Sequence, residues 1–592
     1  MLFPPPRRLR LRGGRCRVRR PRLRRLLDPS VGPGPEAYRL TVDEEGAAVR
    51  AATERGLFYG ERTWRQVMAQ CAREGASPPC LEIADWPAYE VRGFYHDVSR
   101  GKVPTLRTLL GLAERCAAQK LNHLELYVEH TYAYRNHPEV WRGADPLTAD
   151  KIRALDARCA ALHIDLVPSF STFGHCYGWI RDKFPGLNEL ERDVSHDPFS
   201  WKDRMDHYTL DCRNPASLAL VREIVAEVRP LFRSRFFNLC GDETFDLGRG
   251  RNRELAARIG KGRLYVDFLK QVMEIVRENG ATPLFWGDVI GHDPKLLGEL
   301  PAEAVLLDWD YSAALSQTRA AAVAGKGRRF FVCPSVAGHN RWLPDYATAH
   351  ANIVGLSKLG RKSGASGLLA TDWGDYGHIH SLGAVWPGLV LGAAAAWNPE
   401  SAALRKKPFR AAVSRHVFGD ATGRLMGLLE SLSAAARAPW TALCWVHQAR
   451  SLSFPEEWID RKTGLPHQLL KSSPRVHAAA RRKIAALGRE AEPLLMRCRP
   501  DDRLLVEEVR VGILGLAAME EMVLFHLHRA GKSRALPIDP AETGRRLREL
   551  DRRLSRVWRS RNKASEYRRI AAVLRSMGAA LGKGTQASSI VE

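Results

Sequence analysis

The chain has 592 residues, 45% hydrophobic and 27% charged, enough apolar material for at least one large core, which excludes a disordered, collagen-like or disulfide-stapled chain. Its formal net charge of +25 would point to nucleic acid or an anionic membrane only if the excess were spread over the fold. It is not: residues 1–28 hold eleven arginines, residues 401–592 hold 36 basic and 19 acidic side chains, and residues 29–400 hold 44 basic and 46 acidic, so no nucleic-acid partner is expected.

Residues 1–30 read as a disordered Arg-rich tail, because prolines and a Gly13-Gly14 pair interrupt the charge run and no apolar face repeats. The apolar run that follows the basic segment of a signal peptide is missing, and no stretch of about 18 apolar residues suggests a membrane span. The eleven cysteines are odd in number and scattered, with no CxxC pair, which fits a reducing cytoplasm. Alternating apolar residues at Tyr38–Val42 and Ala47–Ala51, then a helical stretch near 60–70, predict a partial small α+β domain over 36–85.

From 88 to 400, short β-branched or aromatic runs alternate with amphipathic stretches. Eight strands are expected: Arg92–Val98, His123–Glu129, Asp165–Phe170, Phe236–Gly241, Pro283–Trp286, Ala304–Trp309, Phe330–Pro334 and Gly367–Thr371. Helices fall between them, including one at 312–324, so the fold class is an α/β (β/α)8 TIM barrel. Residues 401–592 read as a helical C-terminal region with helices at 474–497, 502–529 and 541–577 and a solvated basic face over 545–556.

Catalytic side chains of such barrels come from the C-terminal ends of the strands. Here those ends carry Asp97 and Arg100, Glu129 and His130, Phe173-Gly-His175, Asp242-Glu243, Trp286 and Asp288, Asp308-Trp-Asp310-Tyr311, His339-Asn340, and Asp372-Trp373-Gly-Asp375. Adjacent acids such as Asp242 and Glu243 raise each other's proton affinity, which keeps a carboxylic acid available as a proton donor. Glycosidic cleavage needs such a donor and a stabiliser of positive charge, and Trp286, Trp309 and Trp373 offer apolar platforms for a sugar ring. His130, His175, His339, His378 and His380 have no metal-ligand spacing, so neither a metal nor another cofactor is expected. Leu247-Gly-Arg-Gly250 lacks the Lys-Ser/Thr of a phosphate-binding loop.

Asn238-Leu-Cys-Gly-Asp-Glu243 resembles the (His/Asn)-x-x-Gly-Asp-Glu signature of family 20 glycoside hydrolases, the β-N-acetylhexosaminidases. Asp85-Trp-Pro-Ala-Tyr-Glu-Val-Arg92-Gly with Asp97-Val-Ser-Arg100, Lys120-Leu-Asn122, Thr172-Phe-Gly-His175, Trp373-Gly-Asp375 and Trp386-Pro387 resemble further motifs of that family, in order and spacing. The resemblance implies exo-acting, substrate-assisted retaining hydrolysis of a carbohydrate ending in β-linked N-acetylglucosamine or N-acetylgalactosamine. It makes Glu243 the acid/base, Asp242 the partner of the acetamido group, Arg92 and Asp375 hydroxyl ligands, and Trp286, Trp309 and Trp373 the walls. His175, Asp310 and Tyr311 complete the expected binding set. The family's H-x-H-x-x-D-D is replaced by Glu125-Leu-Tyr-Val-Glu-His130-Thr, leaving Glu129 or His130 in its place, and the tyrosine expected to bind the acetamido oxygen is missing near Ser335–Trp342. Two alternatives stay open: a barrel glycosidase acting on a different glycoside, and a non-catalytic carbohydrate-binding protein.

Overall fold

The structure, a computed structural model, describes residues 2–195, 197–205, 208–288, 294–315, 327–448 and 456–587. Its first unit holds β1 (Arg8–Arg15), β2 (Leu23–Leu27), β3 (Tyr38–Val42), β4 (Ala47–Ala51) and β5 (Pro79–Asp85), hydrogen-bonded in the order β1-β5-β3-β4-β2. The helix Glu54–Glu74 packs on this sheet, capped by the Thr53 side chain at its start and by left-handed Gly75 at its end. Leu40, Val49, Leu57, Trp64 and Ile83 form its core.

The expectation of a disordered tail over 1–30 is therefore corrected, and with it the partial character of the small domain. β1 runs antiparallel to β5, with Arg8 opposite Ala84, and β2 runs parallel to β4. β1 alternates leucine with arginine at Leu9 and Leu11, but both its faces lie in water and these leucines are exposed, so its order comes from backbone pairing at a sheet edge. Its charge is offset locally: Arg12 pairs with Glu82, Arg17 with Glu44 at 2.7 Å, and Arg25 with Glu54 and Glu61 at 2.5 and 2.8 Å.

The second unit is a closed parallel barrel of β6 (Val91–Asp97), β7 (His123–Val128), β8 (Asp165–Phe170), β9 (Phe236–Asn238), β10 (Thr282–Trp286), β11 (Val305–Trp309), β12 (Phe330–Cys333) and β13 (Gly367–Asp372), with β13 closing on β6. All eight expected strands are present, with ends shifted by a few residues. The barrel is filled by Tyr95, Tyr127, Val167, Phe236, Leu284, Leu307, Phe331 and Leu369. The helix expected at 312–324 lies mostly outside the described residues. Trp397, from the helix Trp386–Trp397 after β13, enters the small domain's core and donates to Asp85 at 2.8 Å, locking the two units together.

The C-terminal region is helical, as expected, but the helix read over 541–577 is two, Pro540–Arg561 and Tyr567–Ala587. Its central helix, Leu504–Arg529, is long and apolar enough to cross a membrane, contrary to the sequence reading; 78% of its most apolar window is buried in the structure. In the basic stretch, Arg546 pairs with Glu521 and Glu542, and Arg553 with Glu507. The region packs on the barrel through a Pro104–Asn562 bridge, Thr105 N–H donating to Arg561 O at 2.9 Å, and Trp440 Nε1 donating to Tyr376 O at 2.8 Å.

Candidate active site

At the C-terminal mouth of the barrel is a cavity of about 230 Å³. On one side β9 ends in Leu239-Cys240-Gly241-Asp242-Glu243, where Cys240, Gly241 and Glu243 take positive φ angles of 60°, 81° and 49°. Leaving the β region so abruptly ends the strand and turns both carboxyl groups toward the opening. Neighbouring strands hold the turn: Trp286 N–H donates to Cys240 O at 3.1 Å, and Thr172 Oγ1 to Leu239 O at 2.6 Å. Gly174 is required beside it, since a Cβ there would sit 2.4 Å from Asp242 O.

His175 links the two acids, its Nε2 lying 3.3 Å from Asp242 Oδ2 and 3.4 Å from Glu243 Oε2. Burial disfavours its charge, yet the two carboxylates outweigh burial and push it up to about 10, so it is an imidazolium at neutral pH. Among the described residues the other Asp242 oxygen, Oδ1, is buried without a hydrogen-bond partner, although Asp242 lines the cavity.

Across the barrel, at the ends of β6 and β13, Arg100 lies between carboxylates. Its Nε is 2.7 Å from Asp97 and 3.8 Å from Glu129, and its Nη1 is 3.1 Å from Asp375. Burial opposes the Arg100 charge, and Asp97 and Asp375 outweigh it. Asn340 Nδ2 donates to Asp375 Oδ2 at 3.2 Å. The walls are aromatic: Trp373 packs 5.7 Å from Trp286, Tyr311 stacks on Trp309 at 4.8 Å, and Trp373 Nε1 donates to the Tyr311 hydroxyl at 2.6 Å.

Comparison with known proteins agrees with this geometry. Residues 89–338 match the model for the glycosyl hydrolase family 20 catalytic domain, and residues 8–86 the model for glycosyl hydrolase family 20, domain 2, together more than half of the chain. The chain belongs to glycoside hydrolase family 20. Beta-hexosaminidase subunits A1 and A2 of Dictyostelium discoideum are each 25% identical to it, over 35% and 44% of this chain. These alignments span 39% and 49% of those relatives, at most about half of their length. The crystal structure of a chitobiase from Flavobacterium johnsoniae superposes with a TM-score of 0.59 at 16% identity, covering 97% of this chain and 99% of that one; at that identity it is the fold that is shared.

Of the expected site residues in this family 20 chain, Asp242, Glu243, Trp286, Trp309, Tyr311, Trp373 and Asp375 line the cavity, and His175 stands directly behind the acids. Arg92 does not. It lies at the start of β6, five residues before Asp97, so about 16 Å of strand separates it from the mouth. Its fully buried guanidinium donates to Glu36 at 2.6 Å, to Tyr59 Oη at 3.1 Å and to the carbonyls of Lys120, Tyr89 and Glu90. Arg100, in the second half of the same motif, is the arginine on the cavity wall.

Glu129 and His130 are buried outside the cavity. Glu129 accepts from Tyr127 Oη at 3.0 Å and acts as a counter-charge behind Arg100; burial, first, pushes its carboxyl up, and Arg100 opposes this. His130 packs against Gly178, and burial lowers its affinity for a proton. Asp310 also stands outside, its Oδ1 accepting from Ser312 N–H at 2.8 Å in the turn after β11. Met205 and His339 line the cavity without having been expected as ligands. Met205 lies in the insertion before β9, where no sequence signal fixes its position.

Among the described residues, two His-carboxylate groups bring potential metal ligands within 4.8 Å of one another: His175 with Asp242 and Glu243, and His96 with Asp372 and His378. In the first, the imidazolium has no lone pair to give. In the second, Asp372 already accepts from His96 and His380 at 2.9 and 2.8 Å.

Proposed function

We propose that this chain is an exo-acting β-N-acetylhexosaminidase in which the acetamido group of the substrate is the nucleophile. The observation that carries this reading is the division of the cavity. Asp242 and Glu243 stand on β9, while the third carboxylate, Asp375, stands on the opposite strand, held by Arg100 and Asn340. A retaining glycosidase with an enzymic nucleophile needs a second carboxylate about 5 Å from the acid, across the sugar from it; Asp242 is that near, but it sits beside Glu243 on the same turn, joined to it by His175, the place of a group that steadies the amide of a sugar attacking its own C1.

In this scheme the terminal sugar fills the cavity, with C1 at Glu243 and its far hydroxyls at Arg100 and Asp375. Glu243 gives its proton to the glycosidic oxygen as the bond from C1 to that oxygen breaks and the acetamido oxygen bonds to C1. Asp242 Oδ1, which has no other partner among the described residues, accepts the acetamido N–H, and its charge opposes the positive charge that builds on the ring formed. The Tyr311 hydroxyl, held by Trp373, faces the acetamido oxygen, serving in place of the tyrosine missing from Ser335–Trp342 after β12. Water then bonds to C1 and loses a proton to Glu243 as the acetamido oxygen leaves. Eleven unpaired cysteines support a reducing compartment such as the cytoplasm.

The test is release of 4-nitrophenol from the β-N-acetylglucosaminide, the galacto epimer and the unacetylated β-glucoside, with Glu243→Gln as control. Release from the acetylated pair alone is expected. Equal release from the glucoside would replace this reading with an ordinary glycosidase, and sugar binding without turnover by the wild type would replace it with a binding protein.

A further inference from the structure

Asp288 lies two residues beyond Trp286, at the end of β10, the strand beside β9. Its backbone is placed by the barrel on both sides: Trp286 N–H donates to Cys240 O of the β9 turn at 3.1 Å, and Gly287 N–H to Leu307 O of β11 at 3.0 Å. From there Asp288 Oδ2 accepts the backbone N–H of Glu243 at 3.0 Å. Its other oxygen, Oδ1, is buried with no hydrogen-bond partner among the described residues. The proposed scheme gives this buried carboxyl no part in binding or proton transfer.

Glu243 has a left-handed backbone at φ 49°, a conformation that a side chain with a Cβ adopts only when its surroundings impose it. We propose that Asp288 is a positioning residue for the acid: by accepting the Glu243 N–H it fixes that backbone and so aims the Glu243 carboxyl at the leaving oxygen. The inference rests on the hydrolase reading above. Asp288 also adds charge to the site. Burial, then the carboxylates of Asp242 and Glu243, push it up to about 7, so its ionisation near neutral pH alters the field at the acid. Other groups whose charges interact with it are Lys261 and the buried Tyr265 hydroxyl, and His175 bridges the two acids beyond.

The leaving group separates this role from a structural one. A 2,4-dinitrophenolate departs without protonation, whereas a sugar alcohol needs the aimed acid. For Asp288→Ala, kcat/KM on the β-1,4-linked N-acetylglucosamine disaccharide is expected to fall about 100-fold, and on the 2,4-dinitrophenyl β-N-acetylglucosaminide by less than about tenfold. Asp288→Asn keeps an acceptor but removes the charge. It should retain more activity on the disaccharide and move the alkaline limb of its kcat/KM profile about one pH unit lower, because a vanished negative neighbour lets Glu243 lose its proton more easily. Equal losses on both substrates, or no loss on either, would overturn the role of Asp288 while leaving the hydrolase reading intact. A wild-type chain inactive on both would refute that reading and this one together.

Discussion

Replacing Arg92 with methionine should weaken folding and leave sugar binding alone. Arg92 is fully buried, and its guanidinium serves Glu36, Tyr59 and three backbone carbonyls. Methionine fills similar space but supplies no donor. Glu36, itself buried, would keep only Arg55 at 3.4 Å and Asn122 at 3.3 Å. Removing one partner of a buried pair costs about 3–5 kcal/mol, chiefly through the charge left behind. Burial alone would raise the Glu36 carboxyl; at present Arg92 outweighs it, and the group is lowered from its ordinary range. In the wild type, therefore, Glu36 contributes stability at pH values above the ordinary carboxylate range, and that contribution fades as pH falls through its lowered value. In Arg92→Met the sign reverses: with burial dominant, the penalty is full at neutral pH and shrinks in acid as Glu36 protonates. Urea unfolding at pH 7.5 and pH 5 should show the larger loss at the higher pH, with KM for the 4-nitrophenyl substrate within about twofold of wild type. An Arg92→Met enzyme with unchanged stability and a KM raised tenfold or more would refute the assignment of Arg92 to the domain junction.

Arg100→Met, on the cavity wall, should instead lower kcat/KM by about 100-fold, the loss of two charge-assisted hydrogen bonds to hydroxyls; retained kcat/KM would remove Arg100 from the sugar site. Asp242→Asn should lower kcat on acetylated substrates by about 10²–10³-fold, since it acts on charge that develops in the transition state, and should weaken a thiazoline mimic of the cyclised sugar in parallel; tight thiazoline binding by the variant would count against the acetamido contact. His175, raised above its unfolded value, adds stability that is complete below pH 6.5 and lost as pH rises through about 10. Urea midpoints should accordingly fall more between pH 7 and 10 in the wild type than in His175→Gln, and equal slopes would contradict the imidazolium. Deleting residues 1–27 strips β1 and β2 from the sheet; loss of the small domain's unfolding transition or precipitation is expected, and unchanged melting would restore the reading of a free tail.

The barrel was legible because its strands are buried on both faces and read as continuous apolar runs, such as Pro283–Trp286 and Phe330–Cys333, bounded by turn residues. The acids were legible because Asp242 and Glu243 end such a run. What the sequence hid has identifiable causes. β1 does alternate leucine with arginine at Leu9 and Leu11, but neither face is buried, so the alternation marks no core, and its order comes from the backbone of β5 about 70 residues away. Arg92 and Arg100 both suit a sugar hydroxyl chemically; only the rise of β6 shows that one sits at the floor and the other at the mouth. Glu129, Asp310 and Tyr311 all follow strand ends, and their separate fates depend on where each turn points its side chains. Asp288 was visible as a strand-end acid, but its contact is with a backbone N–H, which no side-chain pattern announces.

The helical region reaches the rim of the cavity without lining it. Arg100 and Asp375 belong to rim segments that meet at Gly101 and Gly377, where a Cβ on Gly101 would fall 2.4 Å from Gly377 carbonyl atoms, and Gly377 in turn rests on Ile570 and Trp201. Lys102 donates to His380 O and lies 5.0 Å from the Trp558 ring, while Lys563 N–H donates to Val103 O at 2.8 Å. Two charges on the cavity wall are thus upholstered from behind by the last two helices. Random mutagenesis should consequently yield kinetic variants at Ile570 or Trp558, far along the chain from any motif, and a barrel excised at residue 400 would be a poor starting point for engineering because its rim would have lost its backing.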